Sequence, residues 1–297
     1  MEIKANYNLS KLNTFGVDVS AGFFSEIFSE KDIAELFSLP EFKNSEKIFL
    51  GGGSNVLFTR NWPGIVVLNK LKGIEIIGED SESVIVRAMG GENWHDLVEF
   101  AVARGYWGIE NLALIPGSVG AAPMQNIGAD GMELKETLIS VEAYEIATGN
   151  KKIFDCTQCA LGYRDSIFKN TLRNAYFISA ISLKLKKAGQ VKARYKILKE
   201  YLEKNKIEVK GPKDISDAVA AIRQSKLPDP KVIGNAGSFF KNVFVDTERL
   251  KDLQKTYPEI PYFTEDEKIK IPAGWLIEQA GPSNLLGTSW KGYREGR

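Results

Sequence analysis

The chain has 297 residues with 39 basic against 38 acidic side chains, 43% hydrophobic residues and a single histidine. Near-zero net charge excludes a nucleic-acid or anionic-membrane partner held by bulk electrostatics, so any anion site must be local. No apolar run approaches the roughly 20 residues that span a bilayer and the opening residues lack the apolar core of a signal peptide, so a cytoplasmic protein of two or three domains is expected.

In chain order, Ser29-Glu-Lys-Asp32 reads as a capping box opening a short helix through Ile33, Leu36 and Phe37, closed by Pro40. A strand at residues 48–50 runs into Gly51-Gly-Gly-Ser-Asn55, and Val56-Leu-Phe58 reads as the strand beyond it. Further strands are expected at 65–68, 74–77 and 84–88. A helix over 92–104 puts Trp94, Leu97, Val98 and Ala101 on one face, with Gly105 placed to stop it. Residues 139–154 read as a hairpin around Thr148-Gly-Asn150, and 177–185 alternate as another strand. Helical stretches follow at 195–204, 214–224, 247–257 and 272–279. Strands dominate to about residue 185 and helices mix in afterwards. The class is α+β, with expected domains at 1–70, 71–210 and 211–297.

His95, the lone histidine, falls on a helix and reads as an ordinary helix residue. With one histidine no two-His metal site can form, and no metal is expected. Cys156-Thr-Gln-Cys159 is formally a CxxC, but it precedes a Gly-Tyr-Arg loop rather than opening a helix. A redox or zinc role for it is the weaker reading.

Two loops carry more chemistry. Consecutive glycines in Gly51-Gly-Gly-Ser-Asn55 leave several N–H groups free to converge on an oxyanion, although the string is neither a Rossmann fingerprint nor a P-loop. Ile115-Pro-Gly-Ser-Val-Gly-Ala-Ala-Pro-Met-Gln-Asn126 is again small-residue backbone framed by prolines. Either alone could be a tight turn. Together they favour a diphosphate ligand, such as a dinucleotide held outside a Rossmann fold. A third string, Lys226 to Asn242, stiffens its approach with Pro228 and Pro230 and presents Ser238 beside Gly237, with Lys226, Lys241 and Asn242 near to meet an anion. It reads equally as a loop leading into a Phe-rich strand.

Asn13-Thr-Phe-Gly16, the two glycine loops, Gln125-Asn-Ile-Gly-Ala129, Tyr163-Arg-Asp-Ser166, Lys226-Leu-Pro-Asp-Pro230, residues 234–242 and Ala273-Gly-Trp-Leu-Ile277 together resemble the UDP-N-acetylenolpyruvoylglucosamine reductase family, in the family's order over residues 13 to about 280. The resemblance implies an FAD-binding domain of the vanillyl-alcohol-oxidase type in two α/β subdomains, plus a smaller α/β substrate-binding domain. It implies noncovalent FAD on Gly51, Gly52, Gly53, Ser54, Asn55, Pro116, Gly117, Ser118, Gly120, Ala121, Gln125 and Asn126. NADPH is then the hydride donor, and UDP-N-acetylglucosamine enolpyruvate the substrate. Arg164 matches the charge-stabilising arginine and Ser238 the proton donor. Lys226, Asn242, Gln279 and Arg223 match substrate contacts, and Tyr195 falls where one form of the family carries a substrate-covering tyrosine loop.

The resemblance also implies a catalytic glutamate near the family's C-terminus, and no residue of this chain takes that role, so weak activity with FAD bound is expected. Two rivals remain. One is another oxidoreductase of the same flavin fold, and the other a flavin- or nucleotide-sugar-binding protein without turnover.

Overall fold

The computed structural model describes residues 1–129, 131–189, 196–226, 228–265 and 268–280. The chain divides into two compact units, residues 1–235 and residues from 236 onward.

The first unit opens with β1 (Ile3–Asn8) and β2 (Ser20–Ile27), an antiparallel pair. Helix α1 (Glu30–Ser38) follows, capped by Ser29, whose side chain accepts from the Asp32 N–H while the Asp32 carboxylate accepts from the Ser29 N–H. Such a cap is worth about 1 kcal/mol. Leu39 is extended, as a residue before proline prefers, so Pro40 ends α1 and starts the one-turn α2 (Pro40–Lys43). Then β3 (Lys47–Leu50) and β4 (Trp62–Asn69) complete a mixed sheet of order β1-β2-β4-β3, in which β4 pairs parallel to both neighbours. Its Ile65 and Val67 pack with Ile33, Leu36 and Phe42, while Val66 and Leu68 face Leu9, Phe24 and Leu50. Burial on both faces explains the continuous apolar run of β4.

The expected strand at 56–58 is not formed. Because β3 and β4 are parallel, residues 51–61 must cross from the end of one to the start of the other. Phe58 is buried on that crossover, and Leu57 is exposed.

The second sheet holds β5 (Ile74–Glu79) and β6 (Ser83–Met89), then β9 (Leu138–Glu145), β10 (Lys151–Asp155) and β11 (Tyr176–Lys186). It is antiparallel, in order β10-β9-β11-β6-β5. A small hairpin of β7 (Gly128–Ala129) and β8 (Met132–Glu133) lies outside it. Helices α3 (Trp94–Val102), α4 (Lys196–Lys204) and α5 (Pro212–Lys226) share one large core with this sheet, to which α5 contributes Ile215, Ala218, Val219 and Ile222. The two sheets meet through Phe177 of β11, whose ring lies 5.0 Å from that of Phe49 in β3. Lys151 adds an ion bridge, 2.8 Å from both Glu30 of α1 and Glu142 of β9. Hydrogen bonds from Arg87, reinforced by Lys151, pull the buried Glu142 carboxyl down to about 2.

The second unit comprises β12 (Val243–Val245), α6 (Thr247–Thr256), β13 (Phe263–Glu265), β14 (Lys268–Ile271) and α7 (Ala273–Ala280), with antiparallel order β12-β14-β13. Leu250, Ile260, Ile269 and Ile271 form its core, flanked by Trp275 and Leu276. Among the described residues, no helix is long and apolar enough to cross a membrane.

Candidate functional site

The two glycine loops pack against each other. A Cβ on Gly51 would lie 2.1 Å from Ser118 Oγ, and one on Gly52 would lie 3.0 Å from Gly117 Cα. Gly53 is left-handed (φ +64°), and a Cβ there would meet the Leu12 carbonyl oxygen at 2.0 Å. Glycine is required at Gly53 on both counts. Among the described residues, the N–H groups of Gly52, Gly53, Ser54 and Asn55 meet no protein acceptor. A turn of successive amides of this kind is an anion receptor.

Residues 13–16 strap this arrangement to a third string. The Thr14 N–H donates to the Gly53 carbonyl at 3.1 Å, and the Asn235 N–H donates to the Thr14 carbonyl at 3.0 Å. Gly234 lies so close to Phe15 that a Cβ would stand 2.3 Å from its carbonyl oxygen. Beside Gly51 and Ser118 a cleft of about 200 Å³ runs between the two sheets. Phe49, Asn69, Gly120, Ala121 and Tyr176 are among its walls.

The start of α3 holds the second loop in place. Trp94 N–H donates to the Gly117 carbonyl and Val119 N–H to that of Glu92, at 3.0 and 2.9 Å. The buried Trp94 indole donates to the Leu112 carbonyl at 2.9 Å. His95 Nδ1 accepts from the N–H of Leu114, a left-handed residue with φ +56°. The lone histidine, a residue of α3 as expected, thus also supports this loop. Thr14, Trp94 and His95 were not singled out as site residues from the sequence, because a strap or support carries no local signature.

Arg164 sits in a tight turn in which Gly162 and Asp165 exchange backbone hydrogen bonds, and it is itself left-handed (φ +53°). Its guanidinium donates to the Gly128 carbonyl. An Arg164–Asp165 surface pair is not formed; both Asp165 oxygens accept from Asn170, at 2.9 and 3.0 Å. Gln125 is half-buried and Asn126 fully buried, whereas Pro116, Ala121 and Asn55 are exposed.

Lys226 ends α5 and is half-buried, as is Arg223 one turn before it. In the second unit Ser238 is exposed, followed by Phe239 and Phe240 at 86% and 62% exposure, and the first strand begins only at Val243. As the rival reading had it, the string is a loop that leads into a strand, β12, which carries Phe244 and leaves Phe239 and Phe240 outside it. Asn242 Oδ1 accepts the Ala273 N–H at the first residue of α7 (3.0 Å), and Gln279 is exposed near the end of that helix. Tyr195 lies outside the described residues. Cys159 is buried, which pushes its thiol up to about 12, and burial likewise raises that of Cys156. Neither carries the depressed thiol of a redox CxxC.

A family profile described as an FAD binding domain matches residues 25–157. A UDP-N-acetylenolpyruvoylglucosamine reductase of Chromobacterium violaceum is 41% identical over 298 residues, covering 100% of this chain and 85% of the relative. One of the same name from Amoebophilus asiaticus is 44% identical over 295 residues, covering 99% and 85%. The crystal structure of UDP-N-acetylenolpyruvylglucosamine reductase from Thermus caldophilus matches with a TM-score of 0.58 at 20% identity, over 91% of this chain and 87% of that one, a likeness of fold. Mixed and antiparallel sheets meeting at a glycine-lined cleft define an α+β flavoprotein with the vanillyl-alcohol-oxidase type of FAD-binding domain. Within that class, the chain belongs to the UDP-N-acetylenolpyruvoylglucosamine reductase family.

The residues present fit FAD. A diphosphate needs converging donors without a competing carboxylate, and the amides of Gly52 to Asn55 with the nearby Ser54 and Ser118 hydroxyls supply them.

Proposed function

We infer that this chain is an FAD-containing, NADPH-dependent oxidoreductase that reduces the enolpyruvyl double bond of UDP-N-acetylglucosamine enolpyruvate to UDP-N-acetylmuramate, a step in making peptidoglycan precursors in the cytoplasm. The observation that carries the reading is 41–44% identity across nearly the whole chain to relatives of that name. Meeting of the separate strings 13–16, 51–55, 117–118 and 234–235 at one place supports it. In this reading the chain holds two FAD-binding subdomains and a third, substrate-binding domain, over 1–70, 71–210 and 211–297.

Gly51 to Asn55 and Pro116 to Gln125 would hold FAD, with Asn126 ending the second loop. A bound FAD would supply the hydride chemistry, the hydride originating from NADPH and adding to the vinyl carbon of the substrate. That addition leaves enolate charge beside the substrate carboxylate, and Arg164, always charged and planar, stabilises it. The Ser238 hydroxyl, a feeble acid in water, protonates the neighbouring carbon, because an enolate carbon is a far stronger base. Lys226, Arg223, Asn242, Gln279 and Tyr195 bind the nucleotide sugar.

Stopped-flow absorbance separates the two halves of the reaction. Ser238→Ala is expected to leave NADPH bleaching of the flavin intact and to slow reoxidation by substrate about 10²- to 10⁴-fold. Equal slowing of both halves rules out the proton-donor role. A yellow protein that consumes no NADPH when substrate is added would favour the binding-protein reading.

A further inference from the structure

Asn126 was expected to touch the cofactor, but its side chain is turned inward. It ends the 3-10 stretch Val119–Gln125 in a left-handed conformation (φ +45°) and is fully buried. Nδ2 donates to Glu133 Oε2 at 2.9 Å and to the Gly162 carbonyl at 3.0 Å, while Oδ1 accepts from the Lys135 N–H at 3.0 Å. Both amide protons and the carbonyl are thereby engaged, each by a different residue.

These bonds join two strings. Gly162 opens the turn that carries Arg164. Two positions before Asn126, the Met124 carbonyl accepts from the buried Ser166 hydroxyl at 2.7 Å, and two positions after it the Gly128 carbonyl accepts from Arg164. Residues 124, 126 and 128 thus hold residues 166, 162 and 164 across three consecutive contacts. The cofactor loop and the arginine turn form one piece.

We propose that Asn126 is a positioning residue for Arg164, fixing the guanidinium relative to the cofactor loop through Gly162, with Ser166 as the second tie. This rests on the reading of Arg164 given above. The pattern is directional. Aspartate has the shape of asparagine but no Nδ2 donors, and at Asn126 it would set a carboxylate against that of Glu133.

The test compares Asn126→Asp, Ser166→Ala and Arg164→Ala by flavin affinity, by bleaching with NADPH, and by reoxidation with substrate. Asn126→Asp and Ser166→Ala are expected to slow reoxidation about 10- to 100-fold, with FAD Kd and NADPH bleaching held within about threefold. Glu133→Gln added to Asn126→Asp should recover part of the loss, because the glutamine amide can donate to the new carboxylate. If Asn126→Asp does not fold, Ser166→Ala decides, since it removes one hydroxyl. Parallel losses of FAD affinity and of both half-reactions overturn the proposal, as they mark Asn126 as part of cofactor binding alone. A loss in Arg164→Ala with none in the other two overturns the coupling only. No loss in Arg164→Ala overturns the role given to Arg164.

Discussion

The loop at 115–126 and the string at 226–242 look alike as sequences, each a mixture of proline, glycine and one conspicuous serine, but the protein treats them differently. Ser118 is buried, and its neighbours are held by the start of α3 through Glu92 and Trp94. Ser238 stands exposed beside two exposed phenylalanines, in a unit whose core among the described residues is Leu250, Ile260, Ile269 and Ile271. A ligand held by backbone amides needs that backbone fixed in advance, because a mobile amide costs conformational entropy on binding. A residue that donates one proton needs to be fixed only when its acceptor arrives.

The contrast can be broken at its rigid side first. Gly53→Ala imposes a left-handed alanine and a Cβ at 2.0 Å from a backbone oxygen. It should cost at least about 3 kcal/mol and release the flavin. Thermal melting with flavin quantitation reads both, and a variant that stays yellow with an unchanged melting point ends the claim of a preset backbone.

A smaller effect is expected where the two sheets meet. The Glu142 carboxyl is depressed to about 2 from a reference of 4.5, so the stability it confers is present above about pH 5 and is lost as pH falls toward 2. Allowing for solvent screening, the loss is about 1–2 kcal/mol. Glu142→Gln should flatten the acid limb of a denaturation series between pH 5 and pH 3, and an unchanged slope would show that Arg87 and Lys151 contribute nothing net. The least effect belongs to the exposed string, where Phe239→Ala should change stability by under about 0.5 kcal/mol. A loss above about 1 kcal/mol in chemical denaturation would show this string to be as firmly packed as the other.

Local signals were the legible ones. The Ser29 capping box, the Gly149 turn and the apolar face of α3 each lie within one element, and each formed as expected. β1 and β2 escaped notice because β1 is a largely polar edge strand and Gly22 interrupts β2. That glycine is explained only by the Pro63 carbonyl, 2.4 Å from where its Cβ would stand. In the site, glycine and proline marked both loops, because close backbone approach leaves a compositional trace. Their mutual packing left none, nor did the inward turn of Asn126, whose partners Glu133, Lys135 and Gly162 are identified only by the tertiary contact.

Thr14 ties Gly53 on one side to Asn235 on the other. During synthesis the strap emerges from the ribosome early and its last partner late, separated by most of the chain. Contacts of such separation are slow to close, because loop entropy must be overcome before they gain anything. The nascent chain can fold its first sheet well before Asn235 appears, but the cleft cannot be fully laced until then. Mature flavin affinity is therefore a late acquisition, and supplying FAD should accelerate the last phase of refolding more than the first.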